Sequence, residues 1–328
     1  MPTAALIQEL LRENGWNIEN PIEFDCVEGK QHGTSWTHHL SMSCTGGAEI
    51  PANLLLKTHA GENREYQFYK HSLGQGYPIP RCFALRAGPP SLILMEDLSA
   101  SHSEMSDWPK PLPQQATHWV LDAIARFHAA SWDTFDHAGL PDFLADQRAY
   151  QTFLGYLKRD LENYTTGLSA SLEPERRSLF ISVLDYLPRL WEEVWQKRLE
   201  TKRALPLIHG DLNPGNILYP NQAGGRVVLV DWEAYRRGLP TSDLAMLFAL
   251  HLCPEYDEVL PFLHAYHNCL YQAGVREYSF SSLLEDYQIA LMFEMFYPIK
   301  LYSQAGILDQ AMMDNAVTAL ESFSAAAG

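Results

Sequence analysis

The rhythm of apolar and polar positions changes once along this chain. After a short helical stretch at residues 4–15, the first hundred residues alternate as strands do. Ile22 to Val27 reads as one strand, Trp36 to Cys44 as a second and Ala52 to Thr58 as a third. The polar stretch Glu28–Ser35 between the first two reads as a loop, and Gly46-Gly47 gives a hairpin signal before the third. Glu62, Glu65, Phe68 and Tyr69 then share one face at helical spacing, and Ser91–Leu98 reads as a buried strand running into a polar corner. Residues 99–115, with Pro109, Pro111 and Pro113, form a connector. Beyond it the period is helical: Leu121, Ile124, Ala125, His128 and Trp132 line one face, and helices are predicted near 142–165, 174–200, 256–272, 280–303 and 307–325. The pattern predicts an α+β chain in three parts, residues 1–98, a connector at 99–115 and a helical part over 116–328.

Composition narrows the partners. With 40 acidic and 24 basic residues the formal charge is −16, which argues against nucleic acid and is compatible with a cationic small molecule. The balance is −4 over residues 1–98 and −12 over the rest, nearly equal per residue, so it does not point to a binding face. Five scattered cysteines without paired spacing predict reduced thiols, a cytoplasmic setting and no zinc site. The start of the chain lacks the pattern of a signal peptide, and no apolar run approaches a membrane span.

The candidate chemistry lies between Leu207 and Glu233. Asp211 follows a short apolar run, Asn216 comes five residues later past the Pro214-Gly215 turn, and Asp231 ends the apolar run Val227–Val230. A hydroxyl attacking a γ-phosphate benefits from a neighbouring carboxylate that accepts its proton, and Mg²⁺ on the triphosphate prefers carboxylate and amide oxygens. Asp211 is the candidate base, with Asn216 and Asp231 the candidate metal ligands, in the order used for phosphoryl transfer.

The run His209-Gly-Asp211-Leu-Asn-Pro-Gly-Asn216 with Asp231-Trp-Glu233 resembles the signature of the aminoglycoside phosphotransferase and choline kinase-like superfamily. Asn63-Arg-Glu-Tyr-Gln-Phe-Tyr69 and Met95-Glu-Asp-Leu-Ser99 are similar to its ecdysteroid kinase-like branch. The resemblance implies a protein-kinase-like two-lobed α+β fold that phosphorylates a small molecule with ATP (or GTP) and Mg²⁺. The His-Arg-Asp and Asp-Phe-Gly motifs of protein kinases are absent, which favours a small-molecule acceptor.

In that frame Gly29 and Gly33 would let backbone N–H groups approach the phosphates, with Thr34 or Ser35 adding a hydroxyl. Lys57, closing its strand, would pair with Glu65 (Glu62 in reserve) to meet the α- and β-phosphates. Backbone groups from Glu96 to Leu98 would bind the adenine edge, and Asp243 would buttress the catalytic loop. His128 and His209 are expected to be structural, and His264 and His267 to be packing or surface residues rather than a zinc site. Glu294, in apolar surroundings, is a candidate for the acceptor pocket, as are Glu233 and Tyr235. Two other classes remain open: a nucleotide-binding sensor without transfer, and a metal-dependent hydrolase built on His209 and Asp211.

Overall fold

The structure, a computed structural model, describes residues 2–18, 22–32, 35–43, 51–61, 63–109, 112–132, 134, 139–167, 172–222 and 224–327. Gly33, Thr34, Glu62, Cys44 and the Gly46-Gly47 hairpin signal lie outside them. The chain forms two compact units, Met1–Asp107 with Gly215–Ala234, and Trp108–Pro214 with Tyr235–Gly328.

The first unit is built on an antiparallel sheet of β1 (Glu23–His32), β2 (Ser35–Ser43), β3 (Asn53–His59), β4 (Cys82–Arg86) and β5 (Ser91–Glu96), in the order β1-β2-β3-β5-β4. Helix α1 (Ala4–Glu13), capped by the Thr3 hydroxyl, lays Ile7, Leu10 and Leu11 against Leu40, Met42, Leu54, Leu56, Leu92 and Leu94. Because side chains alternate along a strand, Leu54 and Leu56 face that cluster while Lys57 and His59 point to the opposite face. There lies α2 (Arg64–Ser72), which buries Glu65, Phe68 and Tyr69.

One expectation is corrected here. Residues 28–32 are not loop: β1 continues to His32 and β2 begins at Ser35. An extra residue between Val27 and Lys30 shifts the register, a bulge that bends the strand. Gly29 sits in it, where a Cβ would stand 2.1 Å from the Thr37 carbonyl oxygen. Alternating polar residues on an exposed hairpin look like a loop in sequence because neither face is apolar enough to show the period. The unit is completed by β6 (His102–Glu104), which pairs with Ile217–Pro220, and by Val228–Leu229 on the far side of that strand.

The second unit is mainly helical: α3 (Gln114–Ala130), α4 (Gln147–Thr166), α5 (Pro174–Tyr186), α6 (Gln196–Thr201), α7 (Pro240–Leu244), α8 (Tyr256–Gln272), α9 (Phe280–Glu294), α10 (Tyr297–Ala305) and α11 (Gln310–Ala327). The predicted helix at 174–200 is instead α5, a 3₁₀ turn at Leu187–Arg189, a π-helical stretch at Trp191–Trp195 and α6. The helix predicted at 280–303 is two, α9 and α10, with Pro298 in the first turn of the second. His264 stacks on Phe280 with centroids 3.8 Å apart, and His267 Nε2 lies 2.8 Å from the Tyr278 carbonyl, so both pack. Cys26, Cys82, Cys253 and Cys269 are free thiols, and among the described residues no helix is long and apolar enough to cross a membrane.

Candidate active site

In the first unit Lys57 is the centre of a charged cluster. Its Nζ lies 2.6 Å from Glu65 Oε2 and 3.0 Å from Asp231 Oδ1. Lys57 is 9% exposed and Glu65 1%, whereas the Asp231 side chain is 47% exposed. Burial alone would lower the lysine's pKa, but the carboxylates of Glu65 and Asp231 hold it above its usual value, so the ammonium stays charged. Burial would likewise raise the Glu65 carboxyl, yet the His59 ring 3.3 Å away and the Lys57 charge bring it below the usual range. Breaking such a buried pair by removing one partner costs about 3–5 kcal/mol.

Asp231, two residues past the short strand Val228–Leu229, has a left-handed conformation, φ +67°, which a residue with a side chain rarely adopts. The next residue explains how it is held. Trp232, fully buried, stacks on Phe68 of α2 with ring centroids 4.0 Å apart, and its indole N–H donates to the Leu229 carbonyl at 3.0 Å. Asn216 is brought beside this turn by strand pairing: Ile217 is opposite Leu229, and the Val230 N–H donates to the Asn216 carbonyl at 3.0 Å. Asp231 and Asn216 offer the hard oxygen donors that Mg²⁺ takes, and the partly exposed Asp231 carboxylate retains access while Oδ1 meets Lys57.

At the end of β5 the Glu96 carboxylate pairs with Arg226 and accepts the Arg81 N–H at 2.7 Å. The Leu98 carbonyl accepts the N–H groups of Ser101 and His102, both at 3.0 Å. Glu233 is exposed and accepts from Asn63 Nδ2 at 3.0 Å.

In the second unit Asp211 stands on a loop fixed from several sides. Gly210 has φ +81°, which lets the chain reverse before Asp211. Asp243, at the start of a helix, accepts the N–H groups of His209 (2.7 Å) and Gly210 (2.8 Å), and its Oδ2 lies 3.1 Å from His128 Nε2. Burial opposes ionisation of Asp243, but His128 and the loop N–H groups hold its carboxyl below the usual range. His128 in turn lies 2.7 Å from the Tyr266 hydroxyl. Arg236 donates to the Gly210 carbonyl at 3.0 Å and reaches within 3.9 Å of Glu294 Oε1. The Tyr297 hydroxyl donates to Asp211 Oδ1 at 3.2 Å. Burial, then the Asp211 carboxylate, push the tyrosine's pKa up, so it stays protonated and acts as donor. Sequence reasoning passed over Tyr297 and Arg236. Neither has a motif, and only the break between α9 and α10 turns the tyrosine toward the loop. Tyr235 is half-buried on the chain leading to Arg236.

Comparison with known proteins bears on family and fold. Among curated proteins the chain is 21% identical over 211 residues to acyl-CoA dehydrogenase family member 11 of Pongo abelii, covering 62% of this chain and 25% of that protein. It thus spans about a quarter of the length of that relative. Among solved structures it resembles an aminoglycoside phosphotransferase of Alicyclobacillus acidocaldarius, with 17% identity, 92% of this chain and 90% of that one covered and a TM-score of 0.55. It also resembles the choline kinase LicA of Streptococcus pneumoniae solved in complex with AMP, at 14% identity, covering 92% and 93% of the two chains with a TM-score of 0.51. At these identities the likeness is one of fold, the protein-kinase-like α+β fold. Residues 53–278 match the model of the phosphotransferase enzyme family, more than half of the chain, and the chain belongs to that family.

Proposed function

We propose that this phosphotransferase moves the γ-phosphoryl group of ATP to a hydroxyl of a small acceptor. The observation that carries the reading is the charged Lys57 ammonium held between the buried Glu65 and the partly exposed Asp231. Such a lysine meets the α- and β-phosphates while staying oriented by its carboxylate partner. The glycine-bearing segment at Gly29, Gly33 and Thr34 would cover the phosphates, and the backbone from Glu96 to Leu98 would read the adenine edge. Asn216 and Asp231 would hold Mg²⁺, which supplies charge neutralisation to the triphosphate.

Asp211 is the proton acceptor. With Tyr297 donating to Oδ1, the other oxygen is oriented for the acceptor's hydroxyl, whose proton passes to the carboxylate as the O–P bond forms and the β–γ bridge bond breaks. The acceptor's own group is an alcohol carrying a positive charge: Glu294, buried with the Arg236 guanidinium 3.9 Å away, is a carboxylate that an ammonium would complete. Glu233 and Tyr235 have weaker claims on the acceptor.

A screen for ADP release over amino alcohols, aminoglycosides and neutral sugars tests the reading. Asp211→Asn should reduce kcat by about 10²–10⁴-fold, the usual weight of a general base, with nucleotide affinity unchanged. Asp231→Ala should weaken Mg·ATP binding instead. Turnover at the parental rate in both variants would sink the assignment.

A further inference from the structure

His59 follows Lys57 by two residues on β3, on the same face, and is 2% exposed. Its ring stands between two carboxylates: Nε2 is 3.3 Å from Glu65 Oε2, and Nδ1 is 3.4 Å from Glu233 Oε1. Asn63 completes the group. Its Oδ1 accepts the Glu65 N–H at 2.5 Å, capping α2, while Nδ2 donates to His59 Nδ1 at 2.6 Å and to Glu233 Oε1 at 3.0 Å. An amide nitrogen can only donate, so His59 Nδ1 accepts from Asn63, while Nε2 faces Glu65 Oε2 at 3.3 Å without a hydrogen bond.

The donor atoms of His59, Glu65 and Glu233 lie within 4.8 Å of one another, the spacing of a metal site. Two facts argue against a resident ion there. The Lys57 ammonium already lies 2.6 Å from Glu65 Oε2 and would repel a cation. The Nδ1 lone pair and Glu233 Oε1 already receive the two hydrogens of the Asn63 amide. The hydrogen bonds of the cluster all run through Asn63, which ties His59, Glu233 and the start of α2 together.

What it joins matters. One side is the start of α2, which presents Glu65 to Lys57; the other is the turn that carries Asp231. We propose that Asn63 and His59 form a latch that sets the Asp231–Glu233 turn against the Lys57–Glu65 pair. Both are positioning residues for metal–nucleotide binding, an inference that rests on Asp231 being a metal ligand. The left-handed backbone of Asp231 gives the latch its purpose, because a disfavoured conformation persists only when its surroundings hold it. Trp232 on Phe68 secures the turn through packing, and Glu233 on Asn63 secures it through hydrogen bonds.

The test needs no acceptor: titrate the intact chain with ATP, with and without Mg²⁺. Asn63→Asp keeps an oxygen to cap α2, since Asp and Asn cap equally well, but removes both donated hydrogens and sets a carboxylate beside Glu233. Mg·ATP affinity should fall by about 10–100-fold, the usual weight of groups that orient metal ligands, and affinity for metal-free ATP should fall less. His59→Leu should act in the same direction. His59→Gln, whose amide retains a donor and an acceptor, should restore most of the affinity. Parental Mg·ATP affinity in Asn63→Asp and His59→Leu at parental melting temperatures overturns the latch. Should His59→Leu fail to fold, Asn63→Asp and His59→Gln decide the matter alone. No Mg·ATP binding by the unaltered protein overturns the kinase reading itself, a separate and recognisable result.

Discussion

Burial pushes the Glu294 carboxyl from its ordinary 4.5 up to about 7, with Arg236 and Lys300 pulling it down and Asp243 and Asp211 adding to the rise. Between those two values the folded protein holds a proton that the unfolded chain has released, so stability falls as pH rises through that window. Replacing the acid with its neutral isostere removes the penalty. Glu294→Gln should therefore be more stable than the parent at pH 8, by an amount on the order of 3 kcal/mol, and indistinguishable from it at pH 4. Chemical denaturation at the two pH values checks this, and equal differences at both would contradict it. A cationic acceptor bound beside Glu294 would shrink the gap at pH 8. Glu294 was legible in the sequence because an acid among Leu291, Met292, Phe293, Met295 and Phe296 stands out. So was a pairing of Lys57 with a helical glutamate, from strand end and helix period. The partners that fix such groups were not: Asn63, His59, Arg236 and Tyr297 are ordinary polar residues until folding brings remote segments together.

Helix α2 and the turn after Val228–Leu229 work as one element, although 174 positions separate Lys57 from Asp231. Trp232 is their shared packing residue. Trp232→Ala should cost about 3–5 kcal/mol, the range for a fully buried large aromatic, and should also lower Mg·ATP affinity because the neighbouring backbone loses its anchor. Trp232→Phe keeps a ring to stack on Phe68 but gives up the hydrogen bond to Leu229, and should lose less of both. Urea unfolding and nucleotide titration of the same samples measure the pair of effects; a stability loss with affinity intact would show that packing and site are independent. Among the elements, strong apolar periods were readable and interruptions were not. The helix at 256–272 was placed at its observed limits, Tyr256–Gln272. The breaks at Leu187–Arg189 and at Met295–Phe296 interrupt runs whose hydrophobic faces continue across them, so periodicity sees one helix where the backbone makes several. The bulge at Gly29 was hidden for a related reason, since close approach of the Thr37 carbonyl, not local polarity, demands the glycine.

At the scale of the whole molecule, the first unit is discontinuous. Residues 215–234 return to it after the chain has built more than a hundred residues of the second. A reading that follows chain order divides the protein at its proline-rich connector, whereas strand pairing groups residues by contact. The returning segment is not a peripheral addition: Ile217–Pro220 pairs with β6, the Leu229 N–H donates to the Pro78 carbonyl at 2.7 Å, and Arg226 donates to the Ile79 carbonyl at 2.6 Å. Trp232 covers Phe68, and Asp231 balances part of the buried Lys57 charge. A fragment ending at Asp107 would therefore expose the α2 face of the sheet and leave Lys57 with Glu65 alone. It should lack the cooperative unfolding transition expected of a single domain. Joining residues 1–107 to 215–234 through a flexible Gly/Ser linker restores every one of these partners and should recover the transition, followed by near-ultraviolet circular dichroism through a thermal ramp. Cooperative unfolding of the 1–107 fragment by itself would show that the sheet and α1 suffice, and that the returning segment serves the site without holding the fold.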